Sequence, residues 1–213
     1  MKAERDDVKI SGNSTVADWK KMKTRLTVGR PDNWKQAYDK FFRQRLETRY
    51  FKPIRVLTKD GDRVGEGFSI TALQCTLIEF LASTLEGKSY KHCRPGTKTK
   101  CGEYEYSDSS KMFINFLCSA TPFRNYFNSK RRADNFYKNV RCALLHEART
   151  KDGWRILAVS SSGDPIDWDN KIVYRNNLHS AFEEFVVWYG KCLPDCDELQ
   201  KAFIRKFDSL CIK

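Results

Sequence analysis

The chain has 213 residues, 40% of them apolar and 13% aromatic, which is enough for a real core and excludes wholesale disorder. Its 39 Lys and Arg stand against 27 Asp and Glu, a formal charge of +12 that turns attention to polyanionic partners. No run approaches the roughly 18–20 apolar residues of a membrane span, and no apolar block follows the charged stretch Met1–Asp7; the expectation is a cytoplasmic protein without membrane contact.

Residues 1–33 are polar and weakly periodic, and read as an arm or a short leading helix ahead of one domain over 34–213. Trp34, Tyr38, Phe41, Phe42, Leu46 and Tyr50 recur at three to four residues, predicting an amphipathic helix that ends near Pro53. Ile54–Thr58 alternates ahead of Lys59-Asp60-Gly61-Asp62, the pattern of a small hairpin. Ser69 is the expected N-cap of the next helix. Ile70, Leu73, Leu77, Ile78, Phe80, Leu81 and Leu85 make that helix apolar around most of its circumference, so it should be buried on several sides until Gly87 stops it.

Residues 88–107 carry little pattern and read as a surface insertion. Helical periodicity resumes through Met112, Phe113, Phe116 and Leu117, breaks at Pro122, and returns from about Arg131 to Arg149. Residues 153–175 read as a β-hairpin region, with 154–159 as one strand and Ile172-Val173-Tyr174 as its returning partner. Two amphipathic helices close the chain, one through Leu178, Phe182, Phe185, Val186 and Tyr189, the other through Leu199, Phe203, Ile204 and Phe207. The predicted class is mainly α, a helical bundle with small β-hairpin insertions.

Eight cysteines invite a disulfide or metal reading. Cys75, Cys118 and Cys142 fall inside apolar helical patterns, where a reduced thiol behaves as a small hydrophobe. His92-Cys93 with Cys101, joined by Cys192 and Cys196, lacks the paired C-x2-C spacing of a zinc site. Reduced thiols, no metal and no cofactor are therefore expected.

The positive charge is unevenly spread. Between Pro122 and Lys151 eight cations face only Asp134 and Glu147, an excess of +6. Within that stretch lies Phe136-Tyr137-Lys138-Asn139-Val140-Arg141-Cys142-Ala143-Leu144-Leu145-His146-Glu147, an otherwise largely apolar helix carrying an arginine and one of the chain's three histidines. Five helical steps of about 100° set Arg141 and His146 roughly 140° apart, so they do not share a stripe. Read structurally, the histidine is a satisfied, partly buried residue and Arg141 pairs with an acid such as Glu147 or Glu79. Read chemically, the two serve phosphate: an imidazole takes a proton at neutral pH, and a guanidinium offers planar, permanent charge to two oxygens.

Val140-Arg141-x4-His146, late in a bundle helix and followed by Glu147-Ala148-Arg149-Thr150, closely resembles the signature of the HEPN superfamily, small all-helical domains named for higher eukaryotes and prokaryotes nucleotide-binding. The resemblance covers roughly residues 34–150 and includes the apolar central helix that precedes the Arg–His helix. In many members the residue after the arginine is polar; here it is Cys142, and Asn139, one turn before Cys142 on the histidine's side, is the substitute. Catalytic members are metal-independent endoribonucleases. The resemblance thus implies Arg141 and His146 as catalytic residues, with Asn139 and Glu147 supporting them. Lys130, Arg131, Arg132, Lys138, Arg149 and Lys151 are the candidate RNA contacts. Because one helix does not present both residues on a single stripe and one histidine cannot readily serve as base and acid in one step, a homodimer with a composite site is expected. A toxin or defence effector, with an antitoxin or other regulatory protein as a further partner, is a role compatible with that reading. The alternative is a non-catalytic module that binds nucleotide, RNA or a protein partner.

Overall fold

Strands β1 (Lys9–Ser11) and β2 (Ser14–Thr15) pair antiparallel and lead into helix α1 (Val16–Lys23) in a computed structural model that describes residues 6–27, 29–60, 65–93 and 101–212. Thr15 caps α1 reciprocally: its hydroxyl accepts from the Asp18 amide, and the Asp18 carboxylate accepts from the Thr15 amide. Of the two readings of residues 1–33, the short helix forms, and it is anchored: Trp19 is 1% exposed and packs on Phe41, Phe203 and Phe207. The strands before it, two or three residues long, are too short to show a period in sequence.

Helix α2 runs through residues 31–60, opened by Pro31 in its first turn. The hairpin expected over Ile54–Thr58 does not form; Lys52–Asp60 continues the helix. The reason lies just before Pro53. Residues Glu47–Phe51 form a wide, π-type turn in which the Lys52 amide donates to the Glu47 carbonyl. That widening relieves the carbonyl that a proline ring strikes in a regular helix, so Pro53 is carried inside α2 rather than ending it. A second wide turn lies at Tyr38–Arg43. Gly61 and Asp62 of the expected turn lie outside the described residues.

Helix α3 (Glu66–Glu86) starts three residues before the expected Ser69 cap and ends where expected, at Gly87, whose φ is +64°. A Cβ at Gly87 would meet the Ala202 backbone at 2.6 Å, so both the turn and the close approach require glycine. By length and composition α3 would cross a membrane, with a mean hydropathy of 1.4 over its most apolar window, and 56% of that window is buried within the protein. It reaches that value although no unbroken apolar run is present, because the residues between its apolar positions are mostly uncharged Ser, Thr and Gln.

β3 (Ser89–Tyr90) and β4 (Glu105–Tyr106) form a short parallel pair in the region read as an insertion. There follow α4 (Ser109–Ser119), capped by Asp108, α5 (Phe123–Tyr126), and α6 over residues 130–147. The region 153–175 differs from the expected hairpin. β5 (Arg155–Leu157) pairs with β7 (Ile172–Tyr174) in parallel, and the antiparallel partner of β7 is β6 (Ile166–Asp167), giving the order β5-β7-β6. Helices α7 (Arg175–Cys192) and α8 (Asp197–Cys211) close the chain as the periodicity predicts. The protein is mainly helical with small β elements.

The chain folds as two compact units. One gathers the described residues of Met1–Lys52, Ser83–Ser107 and Trp188–Lys213; the other gathers those of Pro53–Ala82 and Asp108–Val187. The first is built on an aromatic core in which Trp19, Trp34, Phe41, Phe203 and Phe207 meet ring to ring. Its buried Lys206 is satisfied by the Ser83 hydroxyl at 2.6 Å and the Lys88 carbonyl at 3.2 Å. In the second, Phe116, Phe123, Phe182 and Phe185 form one cluster, and Phe127, Phe136, Trp154 and Trp168 meet edge to face in another. An ion pair of Arg175 with Glu66 at 3.0 Å is almost enclosed there.

Candidate functional site

Helix α6 carries the Arg–His motif. Ser129 caps it by accepting from the Arg132 amide, and Ala133, Phe136, Val140, Ala143 and Leu144 bury one face. Its middle, Tyr137–Cys142, is again a wide π-type turn, a feature that recurs at functional positions in helices. Ala148, left-handed at φ +52°, ends it.

Arg141 sits on the half-buried flank of that face. Its Nη2 lies 3.3 Å from Glu79 Oε2 of α3, with the two side chains only 17% and 20% exposed. Glu79 in turn accepts from the Ser109 hydroxyl at 2.6 Å through its other oxygen. The guanidinium also lies over the Tyr137 ring, 5.2 Å from its centroid. Burial, with Cys142 and Glu79 close by, pushes the Tyr137 hydroxyl up to about 12 against the opposing pull of Arg141. Tyr137 is therefore a neutral neighbour at physiological pH.

His146 lies five residues on and is exposed. Among the described residues its side chain makes no hydrogen bond or ion pair, and neither joins it to Arg141. One motif residue faces inward and the other faces solvent, as an angle of about 140° requires. The arginine's acid partner is Glu79, one of the two expected from sequence.

Glu147, the last residue of α6, accepts from Arg149 at 2.9 Å and also from Lys151. Lys151 first and Arg149 second hold its carboxyl below the usual range. Asn139 is half-buried, and its carbonyl accepts from the Lys151 amide at 2.9 Å, tying the following loop back to α6. Lys138 pairs with Asp134 one turn away at 2.7 Å. Three of the six candidate RNA contacts are thus held by acids where they stand, two of them by the one carboxylate of Glu147.

The other three are not. Lys130 and Arg131 are exposed, and Arg132 lies over the Trp168 ring at 5.1 Å while donating to the Asn128 side chain at 3.2 Å. Among the described residues no carboxylate is within ion-pair distance of any of them. Beside Arg131 and Arg132 opens a cavity of about 340 Å³ walled also by Trp154, Trp168 and Lys171. No local pattern marks the tryptophans' part: Trp154 reads as a strand residue, and only the folded sheet brings Trp168 against it, 5.4 Å between ring centroids.

Among the described residues no group of three or more His, Cys, Asp or Glu is placed to hold a metal ion. The Cys93 and Cys101 sulfurs are 3.8 Å apart as thiols. No protein-family model matches the chain, no curated protein matches it in sequence, and no solved structure matches it.

Proposed function

We propose that this protein is a metal-independent endoribonuclease of HEPN type, acting on single-stranded RNA laid along α6. The observation that carries the reading is the division of labour on that one helix. Three cations without acid partners stand at its start, and the Arg141–His146 pair stands toward its end. From Arg131 to His146 is about 22 Å along the axis, a span suited to an extended strand rather than one small molecule.

His146 takes the proton of a ribose 2′-hydroxyl, and the oxygen so activated attacks the adjacent phosphorus. Arg141 stabilises the charge that builds on the phosphate. A guanidinium has five N–H donors, and the Glu79 contact engages it at Nη2, so Glu79 orients the group while other donors remain for phosphate. The 5′-oxygen leaves with a proton, giving a 2′,3′-cyclic phosphate and a 5′-hydroxyl. Arg141 and His146 do not converge within one chain, and one histidine cannot readily serve as base and acid in the same step. The reading therefore includes a two-fold homodimer in which a second copy brings its own pair to the groove. A toxin or defence role, restrained by an antitoxin or other protein, fits such an activity.

One observation favours the non-catalytic alternative, a module that binds RNA, nucleotide or protein: Arg141 already has an acid partner. The experiment that separates the two is incubation of the purified protein with single-stranded RNA in EDTA, followed by identification of the product ends. Cyclic phosphate ends, lost in both Arg141→Ala and His146→Ala, support the nuclease, and activity regained on mixing the two variants supports the shared site. Intact RNA that nonetheless binds supports the module.

A further inference from the structure

The cavity beside the start of α6 has a composition of its own. Its volume of about 340 Å³ is within the range that holds a small ligand. Of its three cations, Lys171 is held by Asp152 at 3.0 Å, whereas Arg131 and Arg132 have no carboxylate partner among the described residues. Its aromatic walls have no N–H to offer. Trp154 donates to the Asn135 side chain at 2.9 Å, and Trp168 donates to the Tyr126 carbonyl at 2.9 Å. What remains for a ligand is guanidinium charge together with π surface.

Arg132 combines the two. Its guanidinium lies over the Trp168 ring, 5.1 Å from the centroid, and lines the cavity. Bases stack on such guanidinium planes, and that stacking is tolerant of base identity. A second cavity of about 430 Å³ shares Arg132 and Trp168, but Asp164, Asp167 and Asp169 line it and would repel an anion. The anionic part of a ligand therefore belongs on the Arg131 side.

We infer that the cavity formed by Arg131, Arg132, Trp154 and Trp168 is a nucleotide subsite, taking the phosphate between the two arginines and the base on the Arg132 guanidinium against Trp168. This deepens the proposed function and rests on it for the identity of the strand. The subsite is separate from the motif residues, so the two ideas fail separately.

The test is calorimetric titration of the full chain with adenosine 5′-monophosphate, adenosine and inorganic phosphate at low salt. Saturable binding of the nucleotide is expected, with either fragment at least about tenfold weaker, since each half of the site supplies part of the affinity. Arg131→Ala, at an exposed position with no contact to lose, should weaken the nucleotide about tenfold, and Trp168→Phe should weaken nucleotide more than phosphate. No saturable nucleotide binding, or binding indifferent to Arg131→Ala, overturns the subsite. Phosphate binding as tightly as the nucleotide overturns the stacking half of it. Nucleotide binding by a chain that cuts no RNA would leave the subsite standing and remove the nuclease.

Discussion

The two ends of α6 are similarly basic in sequence and differ in the folded protein. At the start, Lys130, Arg131 and Arg132 meet no carboxylate among the described residues, and one of them is stacked on an indole. Past the other end, Arg149 and Lys151 both close on Glu147. Exposed pairs of that kind add little to stability, but they weaken the local field on which a polyanion would act. A charge count over a segment therefore overstates its reach toward RNA. What matters is whether a carboxylate closes on the cation in the fold, as Asp134 does on Lys138 although it stands as near Lys130 in sequence, and as Glu79 does on Arg141 from another helix.

The largest effect should come from the motif itself. His146→Ala should reduce RNA cleavage at least about 10²-fold without moving Tm, because an exposed side chain with no partner is removed. Unchanged cleavage would sink the mechanism. Arg141→Ala should cost a similar factor and also lower stability by about 1–3 kcal/mol, since the half-buried Glu79 loses its guanidinium partner. Adding Glu79→Gln to that variant should restore part of the Tm and none of the cleavage; recovery of both would mean that Arg141 acts only as a structural partner.

Charge reversal at the start of α6 comes next. Arg131→Glu with Arg132→Glu should weaken binding of single-stranded RNA at least about tenfold at low salt and flatten its salt dependence, because fewer counterions are released. A smaller, opposite effect should follow from Glu147→Gln. That change removes the one negative charge that Arg149 and Lys151 share, so affinity should rise a few-fold and the slope steepen by up to about one. An unaltered slope would show that the end of α6 lies off the RNA path.

Much of the helical frame was legible because each long helix repeats apolar residues at three to four positions and is bounded by glycine, proline or a cap. Gly87 after α3 and Pro122 after α4 are such bounds. Ile54–Thr58 misled because five residues fit either period, and the wide turn that admits Pro53 leaves no mark in the sequence. The parallel pairing of β5 with β7 was hidden because β6 intervenes in the chain as a two-residue strand. At the site, the residues were legible and their partners were not. Glu79 lies 62 positions before Arg141 and was one of two acids named. The Arg132–Trp168 contact depends on the sheet that delivers Trp168, which no local pattern encodes.

The contrast between the ends of α6 is tested most directly by measuring RNA affinity between about 50 and 200 mM salt for two double variants that each remove two positive charges. One is Arg131→Gln with Arg132→Gln, the other Arg149→Gln with Lys151→Gln. The first should lose nearly two units of salt slope and at least about tenfold in affinity, and the second, whose two cations share Glu147, should lose no more than about one unit and correspondingly less affinity. Equal losses in the two variants would contradict the account, because they would mean that RNA responds to net charge and not to which cations the fold leaves unpaired.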